Sequence, residues 1–205
     1  LERFGLLPAI LPETAAALAS NRSGALRSML LEGLRGTDAR VANDEPVSPA
    51  FLFALLLWPA YCRALIGLQA GGMNAEEAQR RAADRVTLHQ LSTVALPRRF
   101  SLPMQEIWLL QSRFSTRQRK RVLRLLAHPR FRAAYDFLLL RLYASSEHAE
   151  DVAFWREAQT QSGDELTASL GHAASTGEYA DEDSAAPPKR RRRRRRPASA
   201  APSVE

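Results

Sequence analysis

At 205 residues with 45% hydrophobic side chains, the chain is long and apolar enough to bury a core, which excludes disorder throughout. A single cysteine, Cys62, excludes an internal disulfide framework and suits a reducing cytoplasm, the expected location. The net charge of +7 is unevenly spread: residues 1–97 carry nine basic and nine acidic side chains, 98–141 eleven and two, 142–188 one and ten, and Lys189 to Arg196 are all cations. Such segregation points to a polyanionic partner more strongly than overall basicity does. The chain opens on Leu1 rather than Met, without the pattern of a secretory signal, and is expected to continue a longer polypeptide.

Pro12-Glu13 predicts a helix start, since proline at the first helical position gives up only a donor that has no partner there. A second helix is expected over Ala25 to Arg35, ended by Gly36. Thr37 to Val47 then reads as polar and turn-like, with Asn43-Asp44-Glu45-Pro46 as its breaker. Ser48-Pro49 opens the most apolar helix, which runs to about Leu68. Its uninterrupted apolar run, Ala50 to Cys62, is shorter than the roughly 20 residues that span a bilayer and contains Pro59, so a buried central helix is expected. Gly71-Gly72 separates it from a helix beginning at Asn74, with Glu76 and Glu77 at its positive end, which stops before Pro97. Pro103 is read as the start of the next helix, burying Met104, Ile107, Trp108 and Phe114. Ser115 is read as the cap of a helix from Thr116 to Ala127. His128-Pro129 breaks that helix, and Phe131, Ala134, Tyr135, Leu138 and Leu142 recur beyond at helical spacing. A weaker helix from about Glu150 to Gln159 holds Phe154 and Trp155. There is no convincing strand and no internal repeat. The expectation is an all-α fold, an irregular helical bundle or array. It divides into a helical body over residues 1–97, a basic, arginine-rich helical region over 98–163, and a disordered acidic linker and polyarginine tail over 164–205.

The helix expected over Thr116 to Ala127 carries the most chemistry. At about 100° per residue, Lys120, Arg124, Arg117 and Arg121 share one arc roughly 100° wide, with Val122, Leu123, Leu125 and Leu126 opposite. Arg119 alone projects toward the apolar side. Arg98, Arg99, Arg113, Arg130, Arg132 and Arg141 lie close in sequence and extend the surface. The functional reading is electrostatic tracking of a nucleic-acid backbone, with arginine favoured for its planar fork. A solvated face balanced by the following acidic segment is the competing reading. Phe100, Phe114 and Tyr135 could stack on bases, though their helical spacing suits a core better. The tail cations Lys189, Arg190, Arg191, Arg192, Arg193, Arg194, Arg195 and Arg196 cannot pack, and they read first as sequence-independent phosphate binders. A nuclear-import patch and compositional drift are the rivals. The acidic residues over 164–188 could compete with nucleic acid for those cations. Catalytic patterns are not found: there is no glycine-rich phosphate loop, and His89, His128, His148 and His172 have no metal-ligand spacing with Cys62. Asp181 and Asp183 form an acidic pair, but in a segment too floppy for a two-metal site. No catalytic residue, metal ligand or cofactor is therefore assigned to this chain.

Several stretches resemble the bacterial poly(A) polymerase I family. They are Thr37-Asp38-Ala39-Arg40, Asn43-Asp44, Pro49-Ala50-Phe51-Leu52-Phe53-Ala54, Ile107-Trp108 with Gln111 and Arg113, and Arg117-Gln118 with Lys120-Arg121. The closest is the run His128-Pro129-Arg130-Phe131-Arg132-Ala133-Ala134-Tyr135-Asp136, with Leu138 and Leu140-Arg141 beyond it. The resemblance covers about residues 1–160, and the tail in character only. It implies an enzyme that adds AMP from ATP to RNA 3′ ends, with two metal ions on paired aspartates in an N-terminal nucleotidyltransferase head. A helical neck and body follow, then a basic helical region that holds RNA. This chain resembles only the body and that basic region. No glycine-serine turn with paired aspartates appears, so no catalytic residue carries over, and the chain alone is expected to be inactive. ATP and magnesium are implied for a head upstream of Leu1. The implied partners are single-stranded RNA 3′ ends, bound with little sequence specificity, and RNA-turnover proteins, without stable membrane insertion. The CCA-adding enzymes share head and neck but are not expected to show the run from His128 to Arg141. Two other classes stay open on the sequence: a stand-alone RNA-binding or scaffold protein, and a membrane-surface or helix-partner module built on Ala50 to Leu68.

Overall fold

A computed structural model describes residues 1–161 together with Glu165 and Leu170, and every regular element among them is helical. In chain order these are α1 (Leu7–Ile10), α2 (Pro12–Ser20), α3 (Ala25–Ala42), α4 (Pro49–Ala70), α5 (Ala75–Leu91), α6 (Arg98–Leu110), α7 (Arg119–Leu126), α8 (Phe131–Arg141) and α9 (Ala149–Ala158). Single 3₁₀ turns precede α1, follow α6 and lead into α9. The fold is all-α, as expected, and three of the helix starts carry clear local signals. Pro12 opens α2, and the Ser48 hydroxyl accepts the Phe51 N–H at 3.4 Å at the head of α4. Asn74 accepts the Glu77 N–H at 2.9 Å at the head of α5, satisfying a donor the helix itself leaves unpaired.

Helix α4 is the centre around which α2, α3, α5 and α6 pack. By length and composition it could cross a membrane. Its buried residues, however, lie on most sides of the helix: Ala50, Ala54, Leu55, Leu57, Trp58, Pro59, Ala60 and Tyr61. Burial in protein on so many sides marks the first half, to Tyr61, as a core helix, whereas no residue from Cys62 to Ala70 is fully buried and Ile66 is 67% exposed. The helix continues through Pro59, whose ring nitrogen cannot donate to the carbonyl four residues back. Two carbonyls beside that break take side-chain donors from neighbouring helices: Trp108 Nε1–H reaches Ala54 at 3.0 Å and the Thr14 hydroxyl reaches Leu56 at 2.9 Å.

The buried apolar residues form two clusters. The first gathers Met29, Leu55, Leu57, Trp58, Tyr61, Val86, Met104, Ile107 and Trp108, with Phe137 from α8. Its rings stack in series, Trp58 on Tyr61 at 5.1 Å and Tyr61 on Trp108 at 4.8 Å. The second gathers Leu110, Phe114, Val122, Leu125, Phe131, Tyr135, Leu138, Val152 and Trp155. Helices α6 and α8 serve both, with Trp108 and Phe137 on one side and Leu110 and Leu138 on the other. Gln111 ties them together, donating to the carbonyls of Ile107 and Ala134 at 3.0 Å each.

Three helix boundaries differ from the sequence reading. Gly36 does not end α3, which runs to Ala42 and takes in Thr37 to Arg40. The Thr37 hydroxyl donates to the Gly33 carbonyl at 3.0 Å within the helix, and the stop comes at Asp44, the only non-glycine at positive φ (53°) among the described residues. Pro103 does not open α6, which starts at Arg98 after Pro97 and carries Pro103 inside it. The single missing bond there is offset by a face that buries Ser101, Met104, Ile107, Trp108 and Leu110. Ser115 caps no helix, and α7 starts only at Arg119.

Gly33 shows how closely α3 is held. A Cβ there would lie 2.4 Å from a methyl of the fully buried Leu55 and 3.0 Å from one of Leu140. Gly36, one turn on, faces open space. Gly33→Val should therefore destabilise the fold by about 1–3 kcal/mol through overpacking. Gly36→Ala should stabilise it by about 0.4–1 kcal/mol by lowering unfolded-chain entropy. Urea denaturation of the two variants checks both signs.

Candidate nucleic-acid interface

The predicted basic arc is reshaped at its first member. Residues Ser115 to Gln118 form no helix, so Arg117 is freed from the register that would have aligned it with Lys120, Arg121 and Arg124. Its guanidinium turns inward instead. It donates to the Phe114 carbonyl and to Asp151 Oδ1, both at 2.6 Å, and lies over the Phe154 ring at 4.2 Å. Both charged side chains are nearly buried, Arg117 at 10% exposure and Asp151 at 15%. The same Phe114 carbonyl accepts Trp155 Nε1–H at 2.6 Å, so α9 fixes the segment leading into α7 by two independent bonds. Ser115, read from sequence as a cap, donates backward to the Ser112 carbonyl at 3.1 Å.

From Lys120 onward the helical arc is as the sequence laid it out, whereas Arg119, placed by the helical wheel toward the apolar side, is exposed at the helix start. Val122 and Leu125 are buried, Leu123 and Leu126 half-buried, and Arg119, Lys120, Arg121 and Arg124 exposed. Arg121 and Arg124 face a groove of about 460 Å³ between α5, the turn after α6, and α7. Arg113 and Arg80 also line it, as do Gln79, Ser112 and Thr116, over a floor of Leu109 and Leu125. Its one carboxylate, Glu76, is paired with Arg80 at 3.0 Å. Arg113, Lys120 and Arg124 form no ion pair among the described residues.

The remaining predicted residues lie elsewhere. Arg130 and Arg132 line a second groove, of about 550 Å³, formed by α3, the start of α4 and α8. There each arginine has a carboxylate partner: Arg130 with Glu106 at 3.3 Å, Arg132 with Asp136 at 3.1 Å, Arg40 with Glu45 at 3.2 Å. The floor is apolar, with Phe51, Leu52, Leu139 and Leu140. Arg98 and Arg99 are exposed in the first turn of α6, Arg99 over the Phe100 ring at 4.8 Å, and neither lines the first groove. Arg141 is half-buried, facing the Trp58 ring at 5.3 Å, the Gln111 side-chain oxygen Oε1 at 3.4 Å and His148 Nε2. Burial holds its pKa below the usual arginine range, with Cys62 and Asp151 opposing, while the Cys62 thiol is pushed up to about 12 by burial. Phe114 and Tyr135 are core residues and offer no face to a base. Among the described residues no three His, Cys, Asp or Glu side chains converge as a metal site. Lys189 to Arg196, the Asp181 and Asp183 pair and the 164–188 segment lie outside the described residues, Glu165 and Leu170 apart.

Gln79, Arg80 and Ser112 were absent from the sequence reading. Arg80 four residues after Glu76 reads as an ordinary helix-surface pair. Only the packing of α5 beside α6 brings these side chains to the arginines.

The sequence pattern of a family described as the polymerase A arginine-rich C-terminus matches residues 71–197. Over 159 residues, 76% of this chain, the sequence is 35% identical to a protein named poly(A) polymerase I from Escherichia coli, covering 34% of that protein. Proteins of the same name from Salmonella typhi and Haemophilus influenzae are 33% and 30% identical, over 78% and 80% of this chain. The chain spans about a third of the length of these relatives.

Arg117 and Asp151 should behave as structural residues. Arg117→Ala or Asp151→Ala strands a nearly buried charge and should cost about 3–5 kcal/mol, whereas Arg124→Ala should stay within about 0.5 kcal/mol. The double variant should cost less than the sum of the two single ones, since no charge is left unpaired. Chemical denaturation of the four variants tests all of this.

Proposed function

The chain belongs to the poly(A) polymerase arginine-rich C-terminal family, and from that premise we propose that it is the RNA-holding portion of such an enzyme. It grips single-stranded RNA by its phosphates with little regard to sequence, and presents the 3′ end to a nucleotidyltransferase head carried outside these residues. That head adds AMP from ATP, and the ATP and magnesium belong to it. This chain alone does not polymerise.

The observation that carries the reading is the contrast between the two grooves. In the α3–α8 groove Arg40, Arg130 and Arg132 are each neutralised by a neighbouring carboxylate. Beside the α5–α7 groove, Arg113, Lys120 and Arg124 keep their charge unshared among the described residues. Phosphate binding draws its free energy from releasing counterions condensed on the nucleic acid, and an unshared cation delivers that in full. A guanidinium already bonded to a carboxylate must give that bond up first.

Replacing Arg113, Lys120, Arg121 and Arg124 together by glutamine should weaken binding to single-stranded RNA of any sequence at least tenfold near 0.1 M salt. The slope of log K against log salt should fall by about 0.7 for each phosphate that is no longer neutralised. Helix content by circular dichroism should be unchanged. Arg130→Gln with Arg132→Gln should alter both quantities little. Unaltered affinity in the quadruple variant would remove α7 as the binding surface.

A further inference from the structure

We propose that the groove between α5, the end of α6 and α7 seats one unstacked ribonucleotide and distinguishes it from a deoxyribonucleotide, an inference that rests on the RNA-binding reading above. A purely electrostatic surface would need only cations on a convex helix. Here the α7 cations stand over a concavity of about 460 Å³, within the size range of small-ligand sites. Three kinds of chemistry meet in it. Arg113 and Arg124 supply charge for a phosphate, and Leu109 and Leu125 supply an apolar floor that the face of any base can use. The third is a polar wall formed by Gln79 and Ser112.

That wall has a defined hydrogen-bonding sense. The Ser112 hydroxyl is 3.1 Å from Gln79 Oε1 and 3.3 Å from the Leu109 carbonyl, so its single hydrogen is used by the protein and its oxygen is left as an acceptor. Donation to Gln79 Oε1 orients the glutamine amide, whose N–H₂ group has no partner among the described residues. The wall thus offers a donor and an acceptor side by side. A ribose 2′-hydroxyl, which both donates and accepts, satisfies the two at once, and a deoxyribose leaves them unpaired. Glu76, the one carboxylate in the lining, is engaged by Arg80 and so opposes a bound phosphate less than a bare acid would. With no base-edge donors in the floor, the site reads the sugar and tolerates any base.

The test is a competition between fluorescently labelled 12-mers of adenylate RNA and the matching DNA for the full chain, at two salt concentrations. The wild type should prefer RNA by roughly 5- to 20-fold, the size of one or two neutral hydrogen bonds. Gln79→Ala with Ser112→Ala, both changes on the surface of the fold, should bring the ratio within about twofold by weakening RNA alone, with the salt slope unchanged. A wild type that binds both equally, or a variant that keeps the wild-type ratio, overturns this inference and leaves RNA binding at α7 intact. Unchanged binding by the quadruple glutamine variant in the same assay would instead remove α7 as the RNA-binding surface, and this inference with it.

Discussion

The arrangement of the basic surface depends on the contact between α9 and the segment before α7. Trp155 is fully buried, and its indole N–H shares the Phe114 carbonyl with Arg117, whose other arm is held by Asp151. The network continues from there. Asp151 stands 3.7 Å from His148 Nδ1, His148 Nε2 meets Arg141, and Arg141 reaches Gln111, which bonds α6 to α8. Accepting from Arg141 places the His148 proton on Nδ1, toward Asp151. Burial, and after it the Arg141 guanidinium, lower the His148 pKa and favour that neutral ring. No buried side-chain nitrogen or oxygen among the described residues lacks a partner. A polar network of this kind stabilises a core only when every member is satisfied, and it then fixes one arrangement of the helices it joins.

The consequence for function is a sorting of the arginines. Charge that the fold uses for itself is Arg117 in its buried pair, Arg141 in the network, and Arg40, Arg130 and Arg132 in surface pairs along the apolar groove. At α7 and the turn after α6, Arg113, Lys120 and Arg124 have no ion pair among the described residues, and the second core holds α7 by Val122 and Leu125 and leaves its other face open. An arginine-rich composition alone does not separate these groups, because every member has the same intrinsic chemistry.

What the sequence made legible was local. Pro12, Ser48, Asn74 and His128-Pro129 mark helix ends through backbone geometry and caps that depend on neighbours in the chain, and each boundary is found at or next to its signal. The core of α8 was equally plain, since Phe131, Ala134, Tyr135 and Leu138 are spaced for one face and all are buried. The misreadings came from residues whose role is decided at a distance. Gly36 looked like a stop, yet α3 runs on to Ala42, and its Gly33 sits where a Cβ would collide with Leu55 and Leu140. Arg117 fitted the helical wheel, but α7 starts only at Arg119, and Asp151, 34 residues later, holds its guanidinium inward. Gln79 and Ser112 carried no signal, because their meeting depends on how α5 lies against α6.

The central claim is that RNA occupies the α5–α7 groove and not the charge-paired groove along α3 and α8. Hydrogen–deuterium exchange of the chain with and without a single-stranded 12-mer RNA tests it directly, since bound phosphates and sugars shield the backbone beneath them. Slower exchange in the first half of α5, the turn after α6 and α7, with α3 and α8 unchanged, is the expected result. Slowing centred on α3 and α8 with α7 unaffected would contradict it.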